Sequence, residues 1–155
     1  MNYKFKFTAK QKIVEIINLI ILLSMIGYLI VNWNNIGDTV AIHYNVLGQI
    51  DSWGDKNFII TLPAIALIVN SMTISTHFVP QLLNIPVKLT EDNYKRVYEL
   101  TRSLTNFIKT MVNISLLYIS IMSANAKPLG TWYLPIFLTL ILLSLIIYFI
   151  KARKA

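Results

Sequence analysis

The sequence predicts an all-α integral membrane protein with four transmembrane helices. Of the 155 residues, 55% are hydrophobic and only 14% are charged, and the mean hydropathy is +0.60. The apolar residues form four runs of about 20 residues, the length that crosses a bilayer as a helix. Almost all basic residues flank those ends of the runs that would lie on the same side of a membrane, as in multi-pass membrane proteins. A soluble fold of this length could not bury so much apolar surface.

The composition also excludes several classes of protein. The hydrophobic content is too high for a disordered chain, and the absence of cysteine excludes a disulfide scaffold and a Cys-based zinc site. The net charge of +7 could indicate nucleic acid or anionic lipid. No basic stretch is interleaved with a folded soluble module, so we expect the lipid bilayer as a partner and no nucleic acid.

The four spans are predicted at residues 13–31, 58–79, 107–124 and 132–150. Four lysines precede the first span, as in a signal peptide. Its apolar stretch is too long for an ordinary signal, however, and no cleavage site follows, which indicates a retained anchor. Little chain remains outside the spans, so residues 1–155 are predicted to form one membrane domain.

The basic residues predict the orientation of the chain. Twelve of the 14 fall in the N-terminal segment, in the connector of residues 84–106 with the adjoining edge of the third span, and in the C-terminal tail. The other two loops carry one each, Lys56 and Lys127. The positive-inside rule therefore places both termini and the connector in the cytoplasm and the loop of residues 32–57 outside.

The connector is predicted to contain a helix that continues into the third span. Thr90 is a favourable N-cap, and Glu91 and Asp92 follow where the helix dipole favours acids. A helix from Thr90 to Ala124 would be about 50 Å long, so its first turns would project beyond the bilayer. It is either an interfacial helix resting on lipid and neighbouring helices or a docking surface for a cytoplasmic regulator. The basic residues of this tentative partner or lipid face are Lys95, Arg96, Arg102 and Lys109.

The loop of residues 32–57 is the longest stretch outside the spans on the predicted outer side. Residues 39–44 alternate and predict a short strand, with Val40, Ile42 and Tyr44 on one face. Gly48 and Gly54 predict two turns. Trp53, just before the second span, is of the residue type enriched at the level of lipid headgroups.

The loop resembles the signature of a bacterial domain of unknown function. The stretch IGDTVAIHYNVLGQIDSWGDK at residues 36–56 is similar to the domain that opens the SdpI-type immunity proteins and also occurs alone in small membrane proteins. Gly37 and Ala41 replace two family prolines, and Asp55 stands where serine is usual. The matching residues, which are the tentative ligand-binding set, are His43, Asn45, Gly48, Asp51, Trp53, Gly54 and Lys56.

This resemblance implies a location in the bacterial cytoplasmic (inner) membrane and a function in immunity or signalling. SdpI-type proteins lie in the cytoplasmic membrane, protect the cell from a secreted toxin peptide, and can sequester a cytoplasmic repressor. We therefore expect the loop to recognise a peptide or lipid, and the connector to meet a cytoplasmic regulator. This chain is too short to carry in full the second region characteristic of SdpI.

The residues by themselves leave three interpretations of the loop open. In a structural role, Asp51 caps a turn, His43 bonds across it, and Lys56 pairs with an acid or a lipid phosphate. The polar set could instead recognise a ligand or peptide. A histidine with two carboxylates, Asp51 and Asp55, could also bind a divalent cation. We expect no cofactor.

Polar residues within the spans are expected to face the bundle interior and to bond to neighbouring helices. They are Asn70, His77 and Asn113. Glu15, at the cytoplasmic edge of the first span, is predicted to pair with Lys10 or Lys12.

Three functions from different classes therefore remain. The leading one is a membrane immunity or signalling protein without enzymatic activity. The second is a small accessory or structural subunit of a transporter or other complex, and an oligomer is compatible with it. The third is a metal-dependent membrane enzyme.

Overall fold

A computed structural model describes residues 8–79, 82–83 and 85–154. Its helices and strands follow one another in the order α1 (Ala9–Asn32), β1 (Thr39–Tyr44), β2 (Ile50–Asp55), α2 (Thr61–Phe78), α3 (Tyr94–Ala124) and α4 (Tyr133–Arg153). Short 3₁₀ turns at Trp33–Asn35 and Lys56–Ile60 flank the strands. The strands and the segment between α3 and α4 lie at one end of the bundle, which we call the hairpin end. The start of α1 and the end of α4 lie at the opposite end.

Four helices in the described chain are long enough and apolar enough to cross a membrane. They coincide with the four predicted spans and indicate a multi-pass membrane protein. The helix predicted to continue from the connector into the third span is also confirmed, because α3 runs without interruption for 31 residues, about 46 Å.

The start of α3 differs from the prediction. The helix begins at Tyr94, with Asn93 as its N-cap, and not after Thr90. Thr90 and Asn93 bond to each other: the Thr90 amide donates to Asn93 Oδ1 at 2.8 Å, and the Asn93 amide donates to Thr90 Oγ1 at 3.3 Å. This exchange closes a separate turn, so Glu91 and Asp92 precede the helix. Short polar side chains readily make such local bonds in place of a helical turn.

The buried face of α3 is mostly polar. Helix α3 packs against α1, α2, α4 and β1, and Val97 is the only buried apolar residue on it. Its other buried residues are Thr101, Arg102, Asn106, Lys109, Asn113, Ser120 and Ser123. Many large apolar side chains of α1, α2 and α4 are exposed on the outside of the bundle. Polar groups inside and apolar groups outside are the arrangement expected of helices surrounded by lipid.

The hairpin is fastened to the end of α3. Ser123 Oγ donates a hydrogen bond to the carbonyl oxygen of Ala41 at 2.6 Å. Beside it, a buried apolar cluster joins α1 and the segment after it to the hairpin and the turn before α2, through Leu29, Ile36, Val40 and Ile59. The hairpin is therefore part of the folded bundle and holds a set position on it.

The predicted strand is confirmed, but two details of the prediction are wrong. The pairing of β1 with β2 is irregular on both sides of His43, and as a result Val40 and Ala41 are both buried while Ile42 is exposed. Gly54 lies within β2, opposite Val40, and not in a turn. A Cβ atom on Gly54 would stand 2.9 Å from the side chain of Ile42, so the glycine makes room for that side chain.

Candidate functional site

The turn of the hairpin is built by Asn45 and Gly48. Asn45 Oδ1 accepts hydrogen bonds from the amides of Leu47 at 2.9 Å and Gln49 at 3.1 Å, which is an Asx turn. Gly48 follows with φ of +72°, and its carbonyl accepts a hydrogen bond from the Leu129 amide at 2.8 Å. These two motif residues thus shape the hairpin and hold it against the segment before α4.

His43 and Asp51 form the exposed polar pair of the hairpin. His43 Nδ1 lies 2.5 Å from Asp51 Oδ1, with side chains 67% and 39% exposed. The predicted bond of His43 across the loop is confirmed. The prediction that Asp51 caps a turn is wrong, because the side chain of Asn45 closes the turn. An exposed pair of this kind stabilises a fold little, since water and salt screen it. Its polar atoms are consequently accessible to a ligand.

Lys56 contacts an aromatic ring and not an acid, which was one of its two predicted partners. Its Nζ lies 5.1 Å from the centroid of the Trp33 ring, a cation–π contact that joins the end of α1 to the end of the hairpin. Asp55 accepts a hydrogen bond from the Asn57 amide at 2.8 Å and so begins the 3₁₀ turn. Trp53 is exposed on β2. The seven motif residues therefore share one hairpin without converging on one point.

A groove of about 380 Å³ lies between the hairpin and three helices. Its walls are β1, the start of α2, the end of α3 and the segment that leads into α4. Phe58, Leu62, Ile119 and Leu134 give it an apolar floor, and His43, Tyr44 and Asn45 lie at its hairpin side. The floor comes from segments far apart in the sequence, and no motif indicated it.

Tyr44, on the hairpin, is one of two tyrosines that line this groove, and Tyr133 of α4 is the other. The Tyr44 hydroxyl donates a hydrogen bond to the Lys127 carbonyl at 3.3 Å. Burial, with a smaller contribution from Tyr118, raises the pKa of Tyr44 to about 12. The group is therefore neutral at physiological pH and adds a hydrogen-bonding group, without a charge, to the edge of an apolar surface.

The basic residues predicted to face a cytoplasmic partner separate into two pairs. Lys95 and Arg96 are exposed. Arg102 and Lys109, by contrast, are only 3% and 1% exposed, which corrects the prediction that they lie on the outer face of the connector helix. They are two turns apart on α3 and share the face that packs on the bundle. Only Lys95 and Arg96 are available to a partner from this set.

Lys109 forms an ion pair inside the bundle. Its Nζ lies 2.6 Å from both carboxylate oxygens of Glu15. This corrects the prediction that Glu15 pairs with Lys10 or Lys12. An ion pair within a spanning segment is costly to bury, which is why such pairs are rare and frequently functional.

Three asparagines continue the polar centre beyond this pair. Asn113 Nδ2 donates to Asn18 Oδ1 at 2.6 Å and to Asn70 Oδ1 at 3.2 Å, and Asn18 also donates to Thr110 at 2.9 Å. The bonds join α1, α2 and α3. The predicted interior packing of Asn70 and Asn113 is confirmed, and the side chain of His77 lies outside the described residues.

No group of three or more His, Asp and Glu side chains that could hold a metal ion occurs among the described residues. His43 and Asp51 alone provide two candidate ligands, fewer than the three or four typical of protein metal sites.

Residues 20–67 match the family model of a domain of unknown function, DUF1648. The match covers most of α1, the whole hairpin and the start of α2, and contains all seven motif residues. The predicted resemblance to a domain of unknown function is confirmed over this range. No curated protein and no solved structure matches the chain.

Proposed function

We propose that this protein is a membrane recognition protein of the SdpI immunity or signalling type, which captures an amphiphilic ligand, a peptide or a lipid, at the hairpin end. The groove beneath the hairpin supports this function best. It combines an apolar floor with polar groups at one side, as small-ligand sites commonly do.

The arrangement of the groove favours an amphiphile over a fully polar ligand. Phe58, Leu62 and Leu134 would receive the apolar part. The His43–Asp51 pair and the Tyr44 hydroxyl would meet the polar part at the hairpin side. The hairpin loop carries three acids and one lysine, so a basic peptide would gain electrostatic attraction as it approaches.

The function requires the hairpin end to face the outside and both termini to face the cytoplasm. The chain has no cysteine, so a single introduced cysteine gives a unique label. We expect a membrane-impermeant maleimide to label Val46→Cys, at the exposed hairpin turn, in intact cells. Lys154→Cys should be labelled only after the membrane is opened. The reverse pattern would overturn the orientation and, with it, the recognition of an external ligand.

Filling the groove provides the test of function. Ile119→Trp places a large ring in the groove, and Leu138→Trp, on the exposed side of α4, is the matched control. In cells that lack the gene, we expect wild type and Leu138→Trp to restore resistance to a secreted peptide encoded beside the gene. Ile119→Trp should lose that resistance while keeping the melting temperature of the purified protein.

Two outcomes would contradict the proposal. If deletion of the gene leaves sensitivity to that peptide unchanged, the immunity function is wrong. If Ile119→Trp protects as well as Leu138→Trp, the groove is not the binding site. Growth defects of Ile119→Trp that do not depend on added peptide would identify a lipid as the ligand.

A further inference from the structure

A second cavity, of about 420 Å³, lies at the opposite end of the bundle, between the start of α1 and α3. Helices α1 and α3 run in the same direction here, so the polarity of both walls changes in the same order along the cavity. Lys10 and Glu99 line its outermost part, and Val14 and Phe107 line its part nearer the middle of the bundle. The cavity thus passes from charged to apolar at the end of two membrane-spanning helices, the level of lipid headgroups.

The two charged side chains of the cavity have opposite signs and belong to different helices. Within the described residues, the ion pairs join His43 to Asp51 and Lys109 to Glu15, and none joins Lys10 to Glu99. Both residues are exposed. The cavity therefore presents a cation and an anion to a ligand that carries both charges.

Asn106 supplies an independent indication of a ligand. The residue is only 6% exposed and lines the cavity. Its carbonyl oxygen accepts a hydrogen bond from Thr110, but its side-chain amide has no hydrogen-bond partner in the part of the chain that the structure describes. The amide is not sealed off from the cavity, so a polar group bound there would give it a hydrogen-bond partner.

We propose that this cavity binds the headgroup of a zwitterionic phospholipid that carries a primary ammonium group. Lys10 pairs with the lipid phosphate, and Glu99 accepts from the ammonium group. The Asn106 amide, deeper in the cavity than Glu99, donates a hydrogen bond to an oxygen of the phosphate or of the glycerol esters. Val14 and Phe107 lie beside the first methylene groups of the acyl chains. A primary ammonium donates three hydrogen bonds, whereas a choline headgroup donates none, so the two lipids are distinguishable.

Native mass spectrometry of the full chain, released from nanodiscs of stated composition, tests this proposal. In equimolar phosphatidylethanolamine and phosphatidylcholine, we expect wild type to retain one phosphatidylethanolamine at least about tenfold more often, the ratio that one charge-assisted hydrogen bond provides. Glu99→Gln should lose this preference. The matched control Glu91→Gln, an exposed acid before α3, should keep it.

A second nanodisc, with phosphatidylglycerol in place of phosphatidylethanolamine, separates the two charges of the ligand. In the first nanodisc, Lys10→Gln should weaken retention of phosphatidylethanolamine, and Lys12→Gln, an exposed neighbour, should not. Equal retention of phosphatidylethanolamine and phosphatidylcholine by wild type would overturn the proposal without reference to any variant. Equal retention of phosphatidylglycerol and phosphatidylethanolamine would also overturn it, because the ammonium group would then contribute nothing.

Discussion

Lys109→Met is expected to lower the free energy of unfolding by about 3–5 kcal/mol, the usual cost of removing one partner from a buried ion pair. Lys109 Nζ contacts both oxygens of Glu15 at 2.6 Å, and the lysine side chain is completely buried. Without the lysine, the Glu15 carboxylate loses the cation that contacts both of its oxygens.

The double variant Glu15→Gln/Lys109→Met is the informative companion. Removing both charges also removes the cost of burying them, so we expect the double variant to recover at least half of the loss. Lys95→Met, at an exposed position on the same helix, should change the stability by no more than about 0.5 kcal/mol. Unfolding in mixed micelles with increasing SDS measures all three. If Lys109→Met resembles Lys95→Met, the ion pair does not hold α1 to α3.

Gly48→Ala is expected to detach the hairpin turn from the segment that precedes α4. A Cβ atom there would stand 2.5 Å from the carbonyl oxygen of Gly130, a backbone atom that cannot rotate away. The φ of +72° is also unfavourable for alanine, by about 1–2 kcal/mol. The hydrogen bond between Leu129 and Gly48 would break as the two backbones part. We expect a total loss of about 2–3 kcal/mol.

Gly130→Ala is the matched control for this variant. Gly130 also has a positive φ, of +88°, but nothing lies within 4 Å of the position that its Cβ would occupy. It should therefore show the conformational cost without the collision. Hydrogen exchange of the Leu129 amide should rise in Gly48→Ala and stay nearly unchanged in Gly130→Ala. Equal effects of the two substitutions would show that the close approach does not matter. Gly48→Ala should also impair recognition at the groove, because the hairpin is one of its walls.

The function proposed for the hairpin end and the lipid site proposed for the opposite end can be tested separately. The groove variant Ile119→Trp lies near the hairpin, whereas Lys10 and Glu99 lie at the opposite end. Loss of peptide resistance with normal retention of phosphatidylethanolamine, or the reverse, would therefore identify which site a given phenotype depends on.

Much of the architecture follows from local properties of the chain. Runs of about 20 apolar residues predicted all four helices. A segment that crosses lipid must satisfy its own backbone hydrogen bonds, and a helix does so within the segment. Alternation predicted the bounds of β1, and the polarity of Asn70 and Asn113 predicted their interior positions. Gly54 was wrongly assigned to a turn, because glycine occurs both in turns and at crowded positions in strands. Which of the two applies depends on the side chain of Ile42, which lies on the neighbouring strand.

The sequence by itself determined which segments can cross a membrane, where the first strand of the hairpin lies and which residues carry the motif. Only the tertiary structure decided that Lys109 meets Glu15, that Arg102 is buried, and that a groove forms below the hairpin. The physical reason is sequence separation. Lys109 and Glu15 are 94 positions apart, and the groove takes its walls from four segments. Their meeting depends on how the helices rotate and pack, which no local pattern of residues specifies.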